Sequence, residues 1–457
     1  MTDIATLENM RRYFNSGATR SYDFRKEQLK KLKQSILNHE QDLYDALYAD
    51  LKKSPEEVWV TETGMVISEL NTAIKHLRNW MDDEGAGTNL LNLPSGSKVM
   101  KEPLGVVLII GPWNYPFQLL INPLIGAIAA GNCVVLKPSE FAPATDRVMK
   151  MIIEEVFSPE YILYAQGDGV TVIPAMMNGF SFDHVFYTGS TAVGKIIYKM
   201  AAERLVPVTL ELGGKSPCVV ESDANIKVAA RRIAMTKFSN AGQMCVAPDY
   251  LLVHETVKDK LLEALKETLP KFFGEKAEDS YNYGKIINEK QFDRISNYLS
   301  TGTKVSGGRT NREILFIEPT IITDVPLDSA VMNDEIFGPV LPVISFKTME
   351  DAKAVIDKHP NPLAFYIYTS SNKKEREWLN AIPAGGSCVN NSSWHLTNHN
   401  LPFGGRGFSG TGCYHGKYSF ETFSHKKAVM KTPTWFDPNI KYPPFKGKLG
   451  LFKKVIR

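Results

Sequence analysis

Paired cysteines are the first thing this chain lacks. Its 457 residues hold five, an odd number with no CxxC spacing, which argues against a disulfide framework and for a reducing compartment. Excess charge of either sign is also missing: 53 Lys and Arg against 50 Asp and Glu leave a formal +3, too little at this size to draw nucleic acid or another polyanion. The opening residues, "MTDIATLENMRRYFNSG", contain no apolar core of the kind a secretory leader carries, so no signal peptide and a cytoplasmic setting are expected. No internal repeat and no low-complexity segment breaks the sequence.

What is present is apolar residues, 43% of the total, in a chain whose length suggests two to four domains. Between residues 104 and 136 there is no charged side chain at all, a run long enough to raise a membrane span. Gly111-Pro112, Pro116, Pro123 and Gly131-Asn132 cut it instead into a strand "LGVVLII", a loop "GPWNYP", a helix "FQLLINPLIGAIAA" and a strand "CVVLKP". That is a βαβ unit, and uncharged strands are what a parallel sheet covered on both faces requires. Before it, residues 22 to 81 carry Leu29, Leu32, Ile36 and Leu43 at helical spacing and predict two or three amphipathic helices. After it, strands and helices alternate to about residue 381, which reads as two successive α/β units joined near Gly213-Gly214.

Four places can carry chemistry. In "YTGSTAVGK", Gly189 and Gly194 bracket a strand-to-helix turn whose free N–H groups, beside Ser190, suit a phosphate; a plain tight turn explains the same residues. "VVLKPSE" puts Lys137 and Glu140 just past the end of a buried strand, where ligands sit in open α/β sheets; Glu140 can accept ribose hydroxyls and disfavours a 2′-phosphate, while an exposed Lys/Glu pair is the plainer alternative. Glu211 in "TLELGGKSP" is an acid among leucines, held partly protonated as a general acid/base must be, or else a hydrogen-bonded structural carboxylate. Cys245 in "NAGQMCVAPDY" follows a helix predicted over 225 to 243, and taken alone is more readily a packing residue than a nucleophile, as Cys133, Cys218, Cys388 and Cys413 are. Cys388 and Cys413 flank His395 and His399, but the spacing does not match zinc ligand patterns, so no metal is expected.

In this order, "GPWNYPF", "VVLKPSE", "YTGSTAVGK", "TLELGGKSP", "GQMCVAPDY", "DEIFGPVLP" and "LPFGGRGFSGTG" closely resemble the NAD(P)-dependent aldehyde dehydrogenase superfamily, over about residues 5 to 445. The compact length, "CVAPDY" and "YHGKYSFETFSHKKAV" are most similar to its class 3-type branch. The resemblance implies Cys245 as the thiolate that attacks an aldehyde, Asn114 with the Cys245 N–H as the oxyanion hole, and Glu211 as the base that activates water against the resulting thioester. It implies NAD, with NADP also admissible, held by Trp113, Lys137, Glu140, Gly189, Ser190, Gly194, Glu335 and Phe337. Met65, Tyr115, Met244 and Arg406 are expected along the substrate tunnel, Arg406 where a small residue is usual. A coenzyme A-acylating relative, or a silent structural or membrane-surface protein on the same fold, are the alternatives; a hydrolytic base argues against the first, and the presence of Asn114, Glu211 and Cys245 against the second.

The implied fold is α/β, aldehyde dehydrogenase-like, with two doubly wound α/β domains and a small bridging β element. Residues 1–81 and 103–209 are expected to bind the dinucleotide, 210–398 to form the catalytic domain, and 82–102 with 399–445 to bridge two subunits of a homodimer. The tail, 446–457, belongs to a stretch from 440 that holds six Lys or Arg and no acid. Anionic lipid is one partner for it; a solvated arm or a strap across the partner subunit is the favoured reading.

Overall fold

The computed structural model describes residues 3–456, so Met1 and Thr2 of the first segment and Arg457 of the tail lie outside the described residues. Between residues 22 and 81 there are three long helices, Tyr22–Asn38, Glu40–Leu51 and Gly64–Met81. Ser21 starts the first, its Oγ accepting the Phe24 N–H at 3.2 Å; Leu29, Leu32 and Ile36 form its core face, at most 1% exposed. A short helix, Pro55–Val58, and one π-helical turn, Trp59–Thr63, lead into the third. Gly64 permits that wide turn, because a β-carbon there would run into the Trp59 carbonyl.

Next comes a six-stranded sheet in the order Gly410–Thr411, Val208–Glu211, His184–Thr188, Val106–Ile110, Cys133–Lys137, Ile162–Tyr164. All its pairs are parallel except the first. Every residue of Val106–Ile110, Cys133–Lys137 and His184–Thr188 is buried, as the uncharged run requires of strands with helices on both faces. From Val106–Ile110 the chain builds outward through Cys133–Lys137 to Ile162–Tyr164, then returns to its other side with His184–Thr188. The strand order therefore reverses between Val106–Ile110 and His184–Thr188, which opens a crevice beyond their C-terminal ends, where open α/β sheets bind ligands.

A second, seven-stranded sheet holds Pro217–Val220 between Tyr250–His254 and Ala364–Tyr368 and begins just after Gly213-Gly214. Glu84–Ala86, Gly96–Pro103 and Ser424–Lys431 form a separate antiparallel sheet, with Ser424–Lys431 paired along its whole length to Gly96–Pro103 and open on its other side. Most of the described residues of the tail are exposed, and Leu449–Val455 within it forms a short helix. Among the described residues no helix is long and apolar enough to cross a membrane.

Candidate active site

Cys245 is presented by an unusual turn. The predicted helix over 225 to 243 stops at Phe238, and Asn240, Ala241 and Gly242 then take φ of 50°, 50° and 76° in succession. Left-handed backbone costs roughly 1–2 kcal/mol at a residue with a β-carbon, so neighbours must hold it. They do: the Asn240 N–H donates to Glu57 Oε1 at 2.8 Å, and Asn240 Nδ2 donates to the Asn114 carbonyl at 2.8 Å. Gln243 Nε2 donates to the Asn240 and Lys285 carbonyls at 3.0 and 2.9 Å, while its Oε1 accepts the Ile287 N–H at 3.0 Å. Gly242 is required as well, since a β-carbon would strike the Gly338 carbonyl.

The same network fixes Asn114, 3% exposed in the loop after Val106–Ile110. Its Nδ2 donates one hydrogen to the Gln243 carbonyl at 3.1 Å and has a second to give. Lys53 Nζ donates to the Asn114 carbonyl at 3.0 Å and to Glu62 Oε1 at 2.6 Å. Glu62 Oε2 in turn accepts the Phe117 and Gln118 N–H groups at 3.1 and 3.0 Å, neutralising the start of the helix Gln118–Ala130. Both side chains of this ion pair are wholly buried.

Glu211 ends the strand Val208–Glu211, and its backbone is locked by pairing to Gly410 and by the Gly189 N–H at 3.0 Å. The side chain is 2% exposed, and neither oxygen has a hydrogen-bond partner among the described residues. Burial therefore holds this carboxyl well above the usual carboxylate range. Burial likewise pushes the Cys245 thiol up to about 12, with Glu335 and Glu211 adding repulsion.

Two cavities meet at these groups. One, of about 230 Å³, is lined by Trp113, Asn114, Gly189, Ser190, Glu335 and Phe337. The other, of about 290 Å³, is bounded by Met65, Tyr115, Met244, Trp394, Leu396 and Tyr414. Cys245, Glu211 and Thr188 line both. The first is the more polar of the two, and its wall is the crevice at the reversal of strand order.

The residues along that crevice suit a dinucleotide. Ser190 caps the helix Thr191–Ala202, whose first N–H groups favour a phosphate; a side chain on Gly189 would strike the Tyr187 hydroxyl, and one on Gly194 would strike Leu212. Thr188 Oγ1 is buried without a partner among the described residues. Glu335 is enclosed enough to titrate at about 8, through burial first and Asp249 second. Trp113 meets Phe337 edge to face at 5.3 Å. Farther along the same sheet edge, Lys137 Nζ donates to Glu140 Oε2 at 3.2 Å and to the Pro138 carbonyl at 2.6 Å, and Glu140 Oε1 accepts the Gly169 N–H at 3.1 Å.

Of the four residues expected in the tunnel, Met65, Tyr115 and Met244 line the apolar cavity, and Arg406 does not. Gly410 pairs with Glu211, and the chain leaving that pair backwards turns out to solvent, so Arg406 is exposed. The side chains weighed as metal ligands part company: Cys388 Sγ lies 3.3 Å from His395 Nδ1, whereas His399 faces Glu69 and Ser68. Several supporting residues escaped the sequence reading: Lys53, Glu57, Glu62, Asn240 and Gln243 around the turn, and Lys215, whose bonds to Asp249 and to the Val331 and Asp334 carbonyls steady the segment before Glu335. Only the turn leaves a trace in sequence, as Asn and Gly in "NAG" are the residues most tolerant of positive φ.

Comparison with known proteins is consistent in every direction. A model of the aldehyde dehydrogenase family matches residues 4–429. The chain is 46% identical to 4,4'-diaponeurosporen-aldehyde dehydrogenase of Staphylococcus aureus, over 97% of each chain. It is 45% identical to aldehyde dehydrogenase family 3 member H1 of Arabidopsis thaliana, over 98% of this chain and 94% of that one. It is 41% identical to the dimeric NADP-preferring aldehyde dehydrogenase of Rattus norvegicus, over 97% and 98%. A solved structure of the substrate-bound aldehyde dehydrogenase of Staphylococcus aureus superposes with a TM-score of 0.97 at 44% identity, covering 100% of both chains.

Proposed function

This chain belongs to the aldehyde dehydrogenase family, and from that premise we propose that it oxidises medium- or long-chain or aromatic aldehydes to carboxylates through a covalent intermediate on Cys245. Cys245 Sγ, as thiolate, attacks the carbonyl carbon; a C–S bond forms and the carbonyl π pair moves to oxygen. The free hydrogen on Asn114 Nδ2 and the Cys245 N–H donate to that oxyanion, and the Lys53–Glu62 pair keeps the amide aimed. Bound NAD(P), held by Trp113, Lys137, Glu140, Gly189, Ser190, Gly194, Glu335 and Phe337, supplies the acceptor for the hydride that leaves carbon. Glu211 then removes a proton from water, the hydroxyl attacks the thioester, and Cys245 departs as thiolate to release the carboxylate.

The observation that carries this reading is that two cavities, one markedly more polar than the other, share Cys245 and Glu211. A nucleophile and a base at the junction of two compartments are what a reaction between an apolar substrate and a polar cofactor needs. The experiment is direct: incubate the protein with NAD or NADP and a panel of aldehydes and follow the reduced-nicotinamide absorbance. Turnover of apolar aldehydes is expected, and no signal from any aldehyde overturns the proposal.

The finer assignments belong to the same proposal. Residues 1–81 and 103–209 serve the cofactor, 210–398 the thiol chemistry, and 82–102 with 399–445 the bridge. The free edge of Ser424–Lys431 suits strand addition by a second copy in a homodimer. The basic tail straps that copy, and five unpaired cysteines suit a cytoplasmic setting.

A further inference from the structure

Three of the segments that line the apolar cavity come from distant parts of the chain: the helix Gly64–Met81 through Met65, the turn Trp394–Thr397 through Trp394, Leu396 and Thr397, and the segment Tyr414–His415. One side chain ties that helix to residues next to the other two. Glu69 stands one helical turn after Met65 and is 1% exposed. Its Oε1 accepts the Gly416 N–H at 2.7 Å, directly after His415. Its Oε2 lies 2.6 Å from His399 Nδ1, off the line of a hydrogen bond, two residues beyond the Trp394–Thr397 turn. His399 Nε2 meets Ser68 Oγ on the same helix at 2.8 Å.

The turn Trp394–Thr397 is held from within by His395, whose Nδ1 lies 3.3 Å from Cys388 Sγ. Trp394 is 55% exposed although it lines the cavity, and Ser393 enters the turn at φ 60°. On the inner side, His395, Phe403 and His415 stack, with near-parallel ring pairs at 5.9 and 5.2 Å, and burial holds both histidines neutral with pKa values down at about 4. That stack positions the inner wall. Beyond the turn, His399 fastens the chain to Glu69 and Ser68 on the helix Gly64–Met81.

We propose that Glu69 and His399 are positioning residues of the aldehyde cavity: they latch the Trp394–Thr397 turn to the helix bearing Met65 and so decide the length and breadth of aldehyde admitted. Neither touches Cys245, Glu211 or Asn114, so the latch acts on binding of the apolar part of the substrate and leaves the thiol chemistry alone. Uniform binding energy of that kind appears in KM. On this proposal a propyl chain is the least affected and a decyl chain or an aromatic ring the most.

The inference rests on the aldehyde dehydrogenase reading, and the test separates the two. Glu69→Gln, which keeps an acceptor for Gly416, and His399→Ala are compared with the parent on propanal, hexanal, decanal and benzaldehyde. Expected are a rise in KM of about tenfold for decanal and benzaldehyde at unchanged kcat, propanal kcat/KM within twofold, and an unchanged rate of Cys245 alkylation by iodoacetamide. Acrylamide quenching of the Trp394 contribution, isolated with Trp394→Phe, should increase in His399→Ala. Equal losses for every aldehyde, or no change in any, overturn the latch while leaving the enzyme assignment standing. A parent protein that oxidises no aldehyde overturns the function and the latch with it. Should Glu69→Gln fail to fold, His399→Ala with Ser68→Ala, on the more open side of the contact, decides the matter by the same measurements.

Discussion

Glu57 Oε1 accepts the backbone N–H of Asn240 at 2.8 Å, joining positions 183 residues apart. A carboxylate from the N-terminal helices thus fastens the left-handed turn that delivers Cys245. Lys53 and that N–H draw its carboxyl down, but burial outweighs them and keeps it above the ordinary value. Glu57→Ala should lower stability by about 1–3 kcal/mol, the usual loss when a buried donor is left unpaired. It should also lower kcat, because the turn sets the thiol; thermal unfolding and steady-state kinetics check both. Glu57→Gln, which retains an acceptor, should recover most of the loss.

The turn itself offers a contrast between neighbours. Ala241 and Gly242 both have positive φ, yet only Gly242 has a carbonyl, that of Gly338, where its β-carbon would be. Ala241→Gly should therefore be neutral or stabilising by up to about 1 kcal/mol, the relief of strain being offset by the freer unfolded chain. Gly242→Ala should destabilise by more than that and reduce activity. Chemical denaturation of the two variants, with a loss expected for Gly242→Ala and none for Ala241→Gly, distinguishes a strained turn from a merely flexible one.

Glu211 should reveal itself in two separate ways. As the hydrolytic base it works ionised, and since burial raises its pKa, kcat should climb as pH rises through the shifted value. Glu211→Gln should lower kcat by about 10²-fold or more while a first-turnover burst of reduced nicotinamide persists, because the thioester still forms. The stability effect has the opposite sign. The folded protein keeps this proton to higher pH than the unfolded chain, so wild-type stability falls as pH rises above the ordinary 4.5. Glu211→Gln should match the wild type near pH 4 and exceed it at pH 8, which denaturant titrations at both values would show.

Much of this site was legible because its parts sit at the ends of strongly patterned elements. The uncharged run up to Leu136 marked buried parallel strands, and the places where such strands end, at Lys137, Thr188 and Glu211, are where the chemistry lies. Lys53 and Glu62 were illegible for the converse reason. They lie in a Lys/Glu-rich helical region, where exposed charge is the rule, and nothing local says that this pair is wholly buried. Arg406 shows the limit from another side: its neighbours belong to a recognisable motif, but the pairing of Gly410 with Glu211 sends the chain outward before Arg406 is reached. The Glu69–His399 contact joins residues whose proximity depends on three separate segments meeting, and no spacing encodes it.

Glu140 carries a prediction about cofactor choice. Its two oxygens are occupied by Lys137 Nζ and the Gly169 N–H, so the carboxylate is fixed beside the sheet edge. A negative charge there repels a 2′-phosphate, whereas the Lys137 ammonium, freed of its partner, attracts one. Glu140→Ser should raise kcat/KM for NADP relative to NAD by about tenfold, a 1.4 kcal/mol change in relative binding. An unchanged ratio would place the 2′ position away from Glu140.

The thiol of Cys245 should be unreactive in the cofactor-free protein at neutral pH. Enclosure first, and the two carboxyls of Glu335 and Glu211 after it, push its pKa up to about 12, so far below that pH the thiolate fraction grows about tenfold per pH unit. Iodoacetamide labelling of Cys245, followed by mass spectrometry, should accelerate by about 10²-fold between pH 7 and 9. Because removing a neighbouring negative charge favours the thiolate, Glu335→Gln should speed labelling at fixed pH. A flat pH profile, or a fast rate at pH 7, would mean the thiol has a cationic partner, and in this structure the ionisable groups raising its pKa are both acids. Cys245→Ala should abolish aldehyde oxidation, while alanine at Cys133, Cys218, Cys388 or Cys413 leaves it in place, tying the labelled thiol to the turnover.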